Sequence, residues 1–206
     1  MNKDSPIQAS PTLLCIPDIS GFTKFMSDTD FDLSSAVIPS LLNKIIYANT
    51  IDLRVSEIEG DAIFFYKTGK LPSFKDLIHQ CREFYVAFYK ELKRLKIAYK
   101  DHDQVNKIPA ILGLKIVLHY GNEIGTVQIG KNIKLLGEDV IIAHRLLKND
   151  ISQDEYLLLS QDLMDQYKDD VIERNFGWGT LKDGDDKYKH IGIVNYSYIN
   201  LEPLVD

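Results

Sequence analysis

The sequence predicts a single α+β domain in which helices pack against a sheet of mostly antiparallel strands. A length of 206 residues suits one domain. The composition, 45% hydrophobic and 26% charged, is that of a chain that buries a core. The predicted elements follow in the order strand, two helices, hairpin, helix, hairpin, helix, which is typical of the α+β class.

The first elements are a short strand and two helices. An apolar run between two prolines predicts a strand over residues 11–17. Ser20 follows as the expected N-cap of a short helix that ends at Thr29. Apolar residues at helical spacing predict a second helix over residues 33–49, in which Pro39 is tolerated only close to the first turn.

Four segments in the middle of the chain have the pattern of strands and form two hairpins. They are residues 52–58 and 61–67, followed by residues 108–120 and 123–129. Gly60 and Gly121 lie in the two predicted turns. Between the hairpins, residues 73–98 carry one stripe of apolar and aromatic side chains, which indicates a long helix packed on the core.

The last third of the chain is predicted to contain both helices and strands. They are a helix over residues 137–149, a strand over 156–159, a capped helix over 160–167, and strands over 171–177 and 188–196. Asp183, Asp185 and Asp186 are interpreted as a turn, because the glutamate that an EF-hand loop requires is missing.

Composition and missing motifs disfavour several classes of function. The net charge of −6 is unfavourable for a nucleic-acid partner, because phosphate backbones need clustered Lys and Arg. The apolar runs are too short to span a bilayer, and no signal-peptide pattern opens the chain. We therefore expect a cytoplasmic protein without a membrane partner. Neither of the standard glycine-rich phosphate-binding loops occurs.

Two carboxylates stand out at the ends of predicted strands. Asp18 follows the first strand, and Asp61 lies at the tip of the first hairpin. If these strands are neighbours, the carboxylates meet at one end of the sheet, where they could hold Mg²⁺ together with substrate phosphates. A helix that begins near Ser20 would direct backbone N–H groups at the same phosphates. By spacing alone, a capping aspartate and an unrelated turn aspartate explain the pattern equally well.

Four motifs, in the same order along the chain, carry a resemblance to a known family. They are IPDISGFT at residues 16–23, EGDAI at 59–63, LKIVLHYG at 114–121 and GEDVIIAHRL at 137–146. These segments resemble the motifs of class III adenylate and guanylate cyclases and lie within residues 11–150. The resemblance implies the ferredoxin-like catalytic-domain fold of that family. It also implies a head-to-tail homodimer with the active sites at its interface.

The resemblance further implies a site for a purine nucleoside triphosphate and two divalent ions, Mg²⁺ or Mn²⁺. The implied metal ligands are Asp18, Asp61 and the backbone carbonyl of Ile19. The backbone at Phe22 and Thr23 would contact phosphate. Arg145 corresponds to the arginine with which the partner subunit stabilises the transition state of phosphoryl transfer.

Three positions depart from the family pattern. Ile141 replaces an asparagine that orients the ribose, and losing such a polar group typically costs about 10²–10³ in rate. The two purine-reading positions hold Glu57 and Lys134. An acceptor and a donor there would complement the edge of guanine. Alternatively, Glu57 and Lys134 pair with each other and close the pocket, or either of them faces solvent.

Three functions follow as alternatives. The first is a metal-dependent purine nucleotide-binding domain with weak or no cyclase activity. The second is an active, unusual cyclase that makes a cyclic nucleotide, such as cGMP from GTP. The third is a structural or regulatory dimer in which the aspartates are unused. In each case we expect residues 1–10 to be disordered and residues 11–206 to form one domain, with a core over 11–150 and a divergent extension over 151–206.

Overall fold

β1 (Ser10–Ser20) is an interior strand of the sheet, and it is buried on both faces. Such a strand has a nearly continuous apolar sequence, as residues 12–19 do apart from Thr12 and Asp18. The computed structural model describes residues 9–130 and 132–205, so most of the predicted disordered segment 1–10 lies outside the described residues. β1 also extends beyond the predicted end at residue 17, and Asp18 therefore belongs to the strand.

The other elements follow in chain order. The helices are α1 (Phe22–Asp28), α2 (Phe31–Tyr47), α3 (Phe74–Ala98), α4 (Lys107–Ile111), α5 (Glu138–Leu146), α6 (Gln161–Met164), α7 (Asp169–Glu173) and a 3₁₀ turn (Glu202–Leu204). The strands are β2 (Arg54–Glu59), β3 (Ala62–Thr68), β4 (Gly113–Ile129), β5 (Asn132–Leu136), β6 (Tyr156–Ser160), β7 (Lys182–Tyr188) and β8 (Gly192–Asn200).

The strands form one sheet in the order β2-β3-β1-β4-β6-β8-β7, and β5 pairs with the second half of β4. The β4–β6 pair is parallel, and the other neighbouring pairs are antiparallel. The predicted α+β class with an antiparallel-rich sheet is therefore confirmed. Within the ranges that the structure describes, no helix has the length and apolar character needed to cross a membrane.

Helices cover both faces of the sheet. The long helices α2 and α3 pack on the face that carries Leu13 and Cys15 of β1. α5 packs on the opposite face, against the cluster that includes Leu14 and Ile16. Because side chains alternate along a strand, Asp18 points to the α5 side.

The predicted hairpin turn at Gly121 is wrong, because β4 continues through it as one strand. Ser10 of β1 pairs with Ile124, and Thr12 pairs with Gly121, so β4 contains one extra residue at a bulge. The carboxylate of Asp139 on α5 faces this bulge, and its pKa is lowered by His119 and, to a smaller extent, by the backbone N–H groups of Glu123 and Asn122. A side chain of α5 thus lies beside the backbone of the bulge.

Two predictions in the C-terminal third are also wrong. Residues 169–173 form α7, where a strand over 171–177 was expected. The three aspartates from Asp183 to Asp186 lie in the edge strand β7 rather than in a turn. Charged residues are common on edge strands because they discourage pairing with other chains.

Pro39 lies in the middle of α2. The sequence analysis had predicted that it is tolerated only close to the first turn of the helix, and this prediction is wrong.

Candidate functional site

Asp18 lies near the end of β1, on the face that α5 covers. It is opposite Ala62 of β3 and Lys115 of β4, so a strand on each side flanks it. Only 9% of its surface is exposed. A carboxylate that is buried to this extent requires a positive partner or hydrogen-bond donors nearby.

The β2–β3 turn brings a second carboxylate to Asp18. Gly60 has a φ angle of 62°, a conformation that favours glycine, and Asp61 follows it directly. The Asp61 carbonyl accepts a hydrogen bond of 3.2 Å from the N–H of Ile19, which ties the turn to β1. The carboxyl groups of Asp61 and Asp18 are within hydrogen-bonding reach of each other. The structure thus brings together the two aspartates that the sequence assigns to a metal site.

The proximity of the two carboxylates makes ionisation of Asp61 unfavourable. Burial and the negative charge of Asp18 raise the pKa of Asp61 to about 6. Desolvation and a like charge both disfavour a charged carboxylate, and a divalent cation between the two groups would reverse both effects. The pair is therefore suited to a divalent cation.

Lys115 places one ammonium group at this pair. Its Nζ lies 3.1 Å from Oδ2 of Asp18 and 3.2 Å from the carbonyl oxygen of Leu147. Burial alone would lower the pKa of Lys115, but the nearby negative charges, Asp18 foremost, raise it. Sequence reasoning missed this residue. The register of β1 against β4, which puts Lys115 opposite Asp18, is the observation that reveals it.

α5 and the turn after it form the opposite side of the site. Ile141, His144 and Arg145 recur at helical spacing and therefore lie on one side of α5, and Lys148 follows in the turn. The helix begins after Gly137, whose φ angle is 152°. A side chain there would meet the carbonyl oxygen of Glu123 at 2.7 Å, so only glycine lets α5 approach β4 this closely.

His144 is half-buried between α5 and the sheet. Its ring stacks on Phe64, with 4.3 Å between ring centroids, and its Nδ1 lies 3.8 Å from Oε2 of Glu59. Burial lowers the pKa of His144, although the charge of Glu59 opposes this shift. Near neutral pH the imidazole is therefore largely uncharged.

The ends of these strands and α5 line a cavity of about 720 Å³. Its lining residues are Asp18, Glu59, Asp61, Ala62, Phe64, Lys115, Ile141, His144, Arg145, Leu147 and Lys148. The structure thus places Arg145 at the same cavity as Asp18 and Asp61 within one chain. The sequence had assigned Arg145 to the site of the partner subunit.

The two predicted purine-reading residues pair with each other beside the cavity. Lys134 of β5 donates a hydrogen bond to the carboxylate of Glu57 on β2, and the two form an ion pair. Neither is among the described residues that line the cavity. Of the alternatives that the sequence left open, the structure supports the one in which Glu57 and Lys134 pair with each other.

The predicted phosphate contacts at the start of α1 are also displaced from the cavity. Phe22 and Thr23 form the first turn of α1 but are not among the described lining residues. Ser20 is not the N-cap, because that position is Gly21, which has no side chain. Instead, the hydroxyl of Ser20 donates to the carbonyl of Asp154 at 2.5 Å.

A further group of possible metal ligands borders the cavity. Ligand atoms of Glu57, Glu59 and His144 all lie within 4.8 Å of one another. Lys134 already neutralises Glu57 in this group. Asp18 and Asp61 are therefore better candidates for a resident cation, since their two carboxylates share a single ammonium group.

A separate polar centre is buried behind α5, and sequence reasoning did not find it. The fully buried His119 lies 2.8 Å from the hydroxyl of Ser160 through Nδ1 and 3.3 Å from Asp139 through Nε2. The Ser160 hydroxyl also accepts from the N–H of Leu163. Each member is satisfied by another protein group, so this centre joins β4, α5 and α6 structurally.

Sequence comparison places most of the chain in a known family. Residues 38–156 match the family described as "Protein of unknown function (DUF2652)". A relative from Mycobacterium tuberculosis, "Uncharacterized protein Rv2561/Rv2562", is 30% identical over 131 residues. That alignment covers 59% of this chain and 56% of the relative. The chain thus spans little more than half the length of this relative.

Comparison with solved structures shows the fold of cyclase domains. A bacterial light-regulated adenylyl cyclase aligns with a TM-score of 0.64 and 16% identity over 97% of this chain and 53% of the other. The guanylyl cyclase Cya2 aligns with a TM-score of 0.63 and 16% identity over 94% of both chains. At this identity the likeness is one of fold. It extends through residues 151–206, which the sequence resemblance covered only loosely.

Proposed function

The chain belongs to the DUF2652 family, and we propose that it is a cyclase-like protein that binds a nucleoside triphosphate together with a divalent cation, Mg²⁺ or Mn²⁺, and has weak or no cyclase activity. The observation that carries this proposal is the juxtaposition of Asp18 and Asp61 at one cavity, where burial and the negative charge of Asp18 raise the pKa of Asp61 to about 6. The fold, which is that of adenylyl and guanylyl cyclase domains, supports the proposal.

The residues present fit both parts of such a ligand. Asp18 and Asp61 would hold one or two divalent ions, with the carbonyl of Ile19 as a further ligand. Bound there, a divalent ion supplies charge neutralisation to phosphate oxygens. Arg145 and Lys148, which line the same cavity, offer positive charge to the remaining phosphate oxygens. In this proposal the backbone of Phe22 and Thr23 contributes only if the ligand extends beyond the cavity.

Lys115 would contribute to the same site. Its ammonium group compensates the charge of Asp18, a role that a divalent ion held by Asp18 and Asp61 would share. Lys115, which β4 holds at the cavity, would then offer its positive charge to a phosphate oxygen.

Ile141 argues against efficient cyclisation. Its side chain is 53% exposed and lines the cavity, at the α5 position where the family resemblance has an asparagine. An isoleucine neither donates nor accepts a hydrogen bond, so it cannot orient a ribose hydroxyl. Orientation of this kind is worth about 10²–10³ in rate, which is the basis for expecting slow or absent turnover.

We also propose a homodimer that covers the cavity side of the molecule. Four apolar residues of β2, β5 and α5 are exposed to solvent, and one of them, Ile141, lines the cavity. They are Ile58, Ile133, Leu136 and Ile141, which are 48–54% exposed. Exposed apolar side chains favour a protein interface, and two-fold pairing is the commonest way to bury them. A second copy would also bring its own Arg145 toward Asp18 and Asp61.

Isothermal titration calorimetry with purified protein tests the proposed ligand. We expect GTP or ATP to bind in the presence of Mn²⁺ and to bind weakly or not at all in EDTA. Product analysis of the same mixtures should show little cyclic nucleotide. Rapid formation of cGMP or cAMP would instead favour an active cyclase. Absence of binding under all conditions would favour the structural or regulatory dimer.

A further inference from the structure

From the groups that line the cavity we infer that the site recognises the metal-bound polyphosphate and not the base of the nucleotide. This inference rests on the proposed function and names its substrate class. The ligand is any nucleoside triphosphate, purine or pyrimidine, and inorganic tripolyphosphate is the minimal form of it.

The polar side chains among the described lining residues are all acids or bases. They are three carboxylates, two lysines, one arginine and one histidine. None is an amide or a hydroxyl. Lysine, arginine and carboxylate groups are suited to phosphate and metal. Amides and hydroxyls, with fixed donor and acceptor directions, are the usual neutral groups that read a base edge.

Most of these acidic and basic side chains already contact one another. Asp18 and Asp61 form the cation pair, and Lys115 lies 3.1 Å from Asp18. Glu59 faces His144 at 3.8 Å, and the flat face of that imidazole is occupied by Phe64. Arg145 and Lys148 remain for phosphate oxygens. Among the described lining residues, no further polar pair is left to complement one base against another.

The remaining lining residues of the cavity are apolar. Ala62, Phe64, Ile141 and Leu147 offer surface against which a base or ribose can rest. Contacts with an apolar surface discriminate poorly between isosteric ligands, whereas a site with paired hydrogen-bonding groups rejects a mismatched one strongly. Glu57 and Lys134, which could have formed such a pair, bond to each other instead and are not among the described lining residues.

The test is a set of dissociation constants for GTP, ATP, CTP, UTP and inorganic tripolyphosphate, each with saturating Mn²⁺. We expect the four nucleotides to agree within about threefold, and tripolyphosphate to bind within about tenfold of them. A preference of roughly tenfold or more for one base would overturn the inference and leave the proposed function intact. Failure of all five ligands to bind would overturn both.

Two variants sharpen the test. Lys148→Ala removes a phosphate-facing charge, so it should weaken all five ligands by a similar factor, roughly tenfold. The double variant Glu57→Ala with Lys134→Ala removes the pair outside the cavity and should leave the relative affinities of the four nucleotides unchanged. If the double variant shifts one purine nucleotide more than the others, the base is read at Glu57 and Lys134, and the inference is wrong. The same holds if Lys148→Ala weakens the nucleotides but not tripolyphosphate.

Discussion

Two charged regions on the α5 face of the sheet differ in how their charges are balanced. At the end of β1, the carboxylates of Asp18 and Asp61 share the single ammonium group of Lys115 and open into the cavity. Between β2 and β5, Glu57 and Lys134 balance each other one to one, outside the cavity lining. An excess of like charge held in place by the fold is relieved by protonation or by a bound cation, whereas a matched pair needs neither.

The difference between these regions predicts separable effects of mutation. Changes at Asp18 or Asp61 should alter ligand binding and leave the fold intact. Changes at self-satisfied groups should alter the free energy of unfolding and leave binding intact. The buried His119 centre belongs with Glu57 and Lys134 in this respect, since its partners are all protein groups.

The largest effect is expected for Asp18→Asn. This change removes one of the two carboxylates and leaves the amide beside the Lys115 ammonium. Loss of a direct ligand should weaken Mn²⁺ binding by at least about 100-fold, or about 2.7 kcal/mol, measured by calorimetry. The matched control is Asp103→Asn, because Asp103 is exposed and lies outside the cavity. Equal Mn²⁺ affinity in the two variants would remove the metal site from the β1 end.

The second-largest effect is a loss of stability, expected for His119→Leu in the buried centre whose polar groups satisfy one another. The substitution leaves the Ser160 hydroxyl without an acceptor and takes one donor from Asp139, both in or near the core. The free energy of unfolding should fall by about 2 kcal/mol, measured by urea denaturation. Affinity for Mn²⁺ should stay within about twofold of wild type. A variant that keeps full stability would show that the centre is not structural.

The sequence predicted the fold class and the proximity of Asp18 and Asp61 for a physical reason. The motif around Asp18 lies in a strand buried on both faces, and that around Asp61 lies in a glycine turn, so local sequence determines both. The role of Lys115 depends on the register of β1 against β4, which no local pattern encodes. The pairing of Glu57 with Lys134 likewise depends on where β5 returns along β4.

The wrong local predictions have the same origin. Gly121 has the look of a hairpin turn, but the bulge opposite β1 and the Asp139 carboxylate keep the chain in a strand. The aspartates of β7 look like a loop, yet β8 supplies every backbone partner of that edge strand, and Ser197 donates a hydrogen bond of 2.8 Å to Asp183. Tertiary partners override propensity at these positions.

A smaller effect is expected for Lys134→Ala, which breaks the matched pair. Both side chains are partly exposed, at 39% for Lys134 and 19% for Glu57, so water compensates part of the loss. Exposed ion pairs contribute about 0–1 kcal/mol, and the free energy of unfolding should fall by no more than that. Affinity for Mn²⁺ and GTP should not change. A tenfold loss of GTP affinity would return Lys134 to the binding site.

The smallest effect concerns the repulsion between Asp18 and Asp61 and has a definite sign with pH. The folded state raises the pKa of Asp61 from 3.8 to about 6. Between these values the folded chain binds more protons than the unfolded chain, so this group's contribution to stability falls as the pH rises. Above pH 6 the ionised Asp61 is fully unfavourable, and Asp61→Asn should therefore raise the melting temperature in EDTA near pH 7.5. Because the carboxyl group is only half-buried, water screens the repulsion, and we expect a gain on the order of 1–2 °C.

The gain should shrink near pH 5 and vanish near pH 4, where wild-type Asp61 is itself protonated. Mn²⁺ should reverse the order of the two proteins at pH 7.5, because it stabilises only the chain that binds it. A gain that is the same at all pH values would mean that the charge of Asp61 is not the cause.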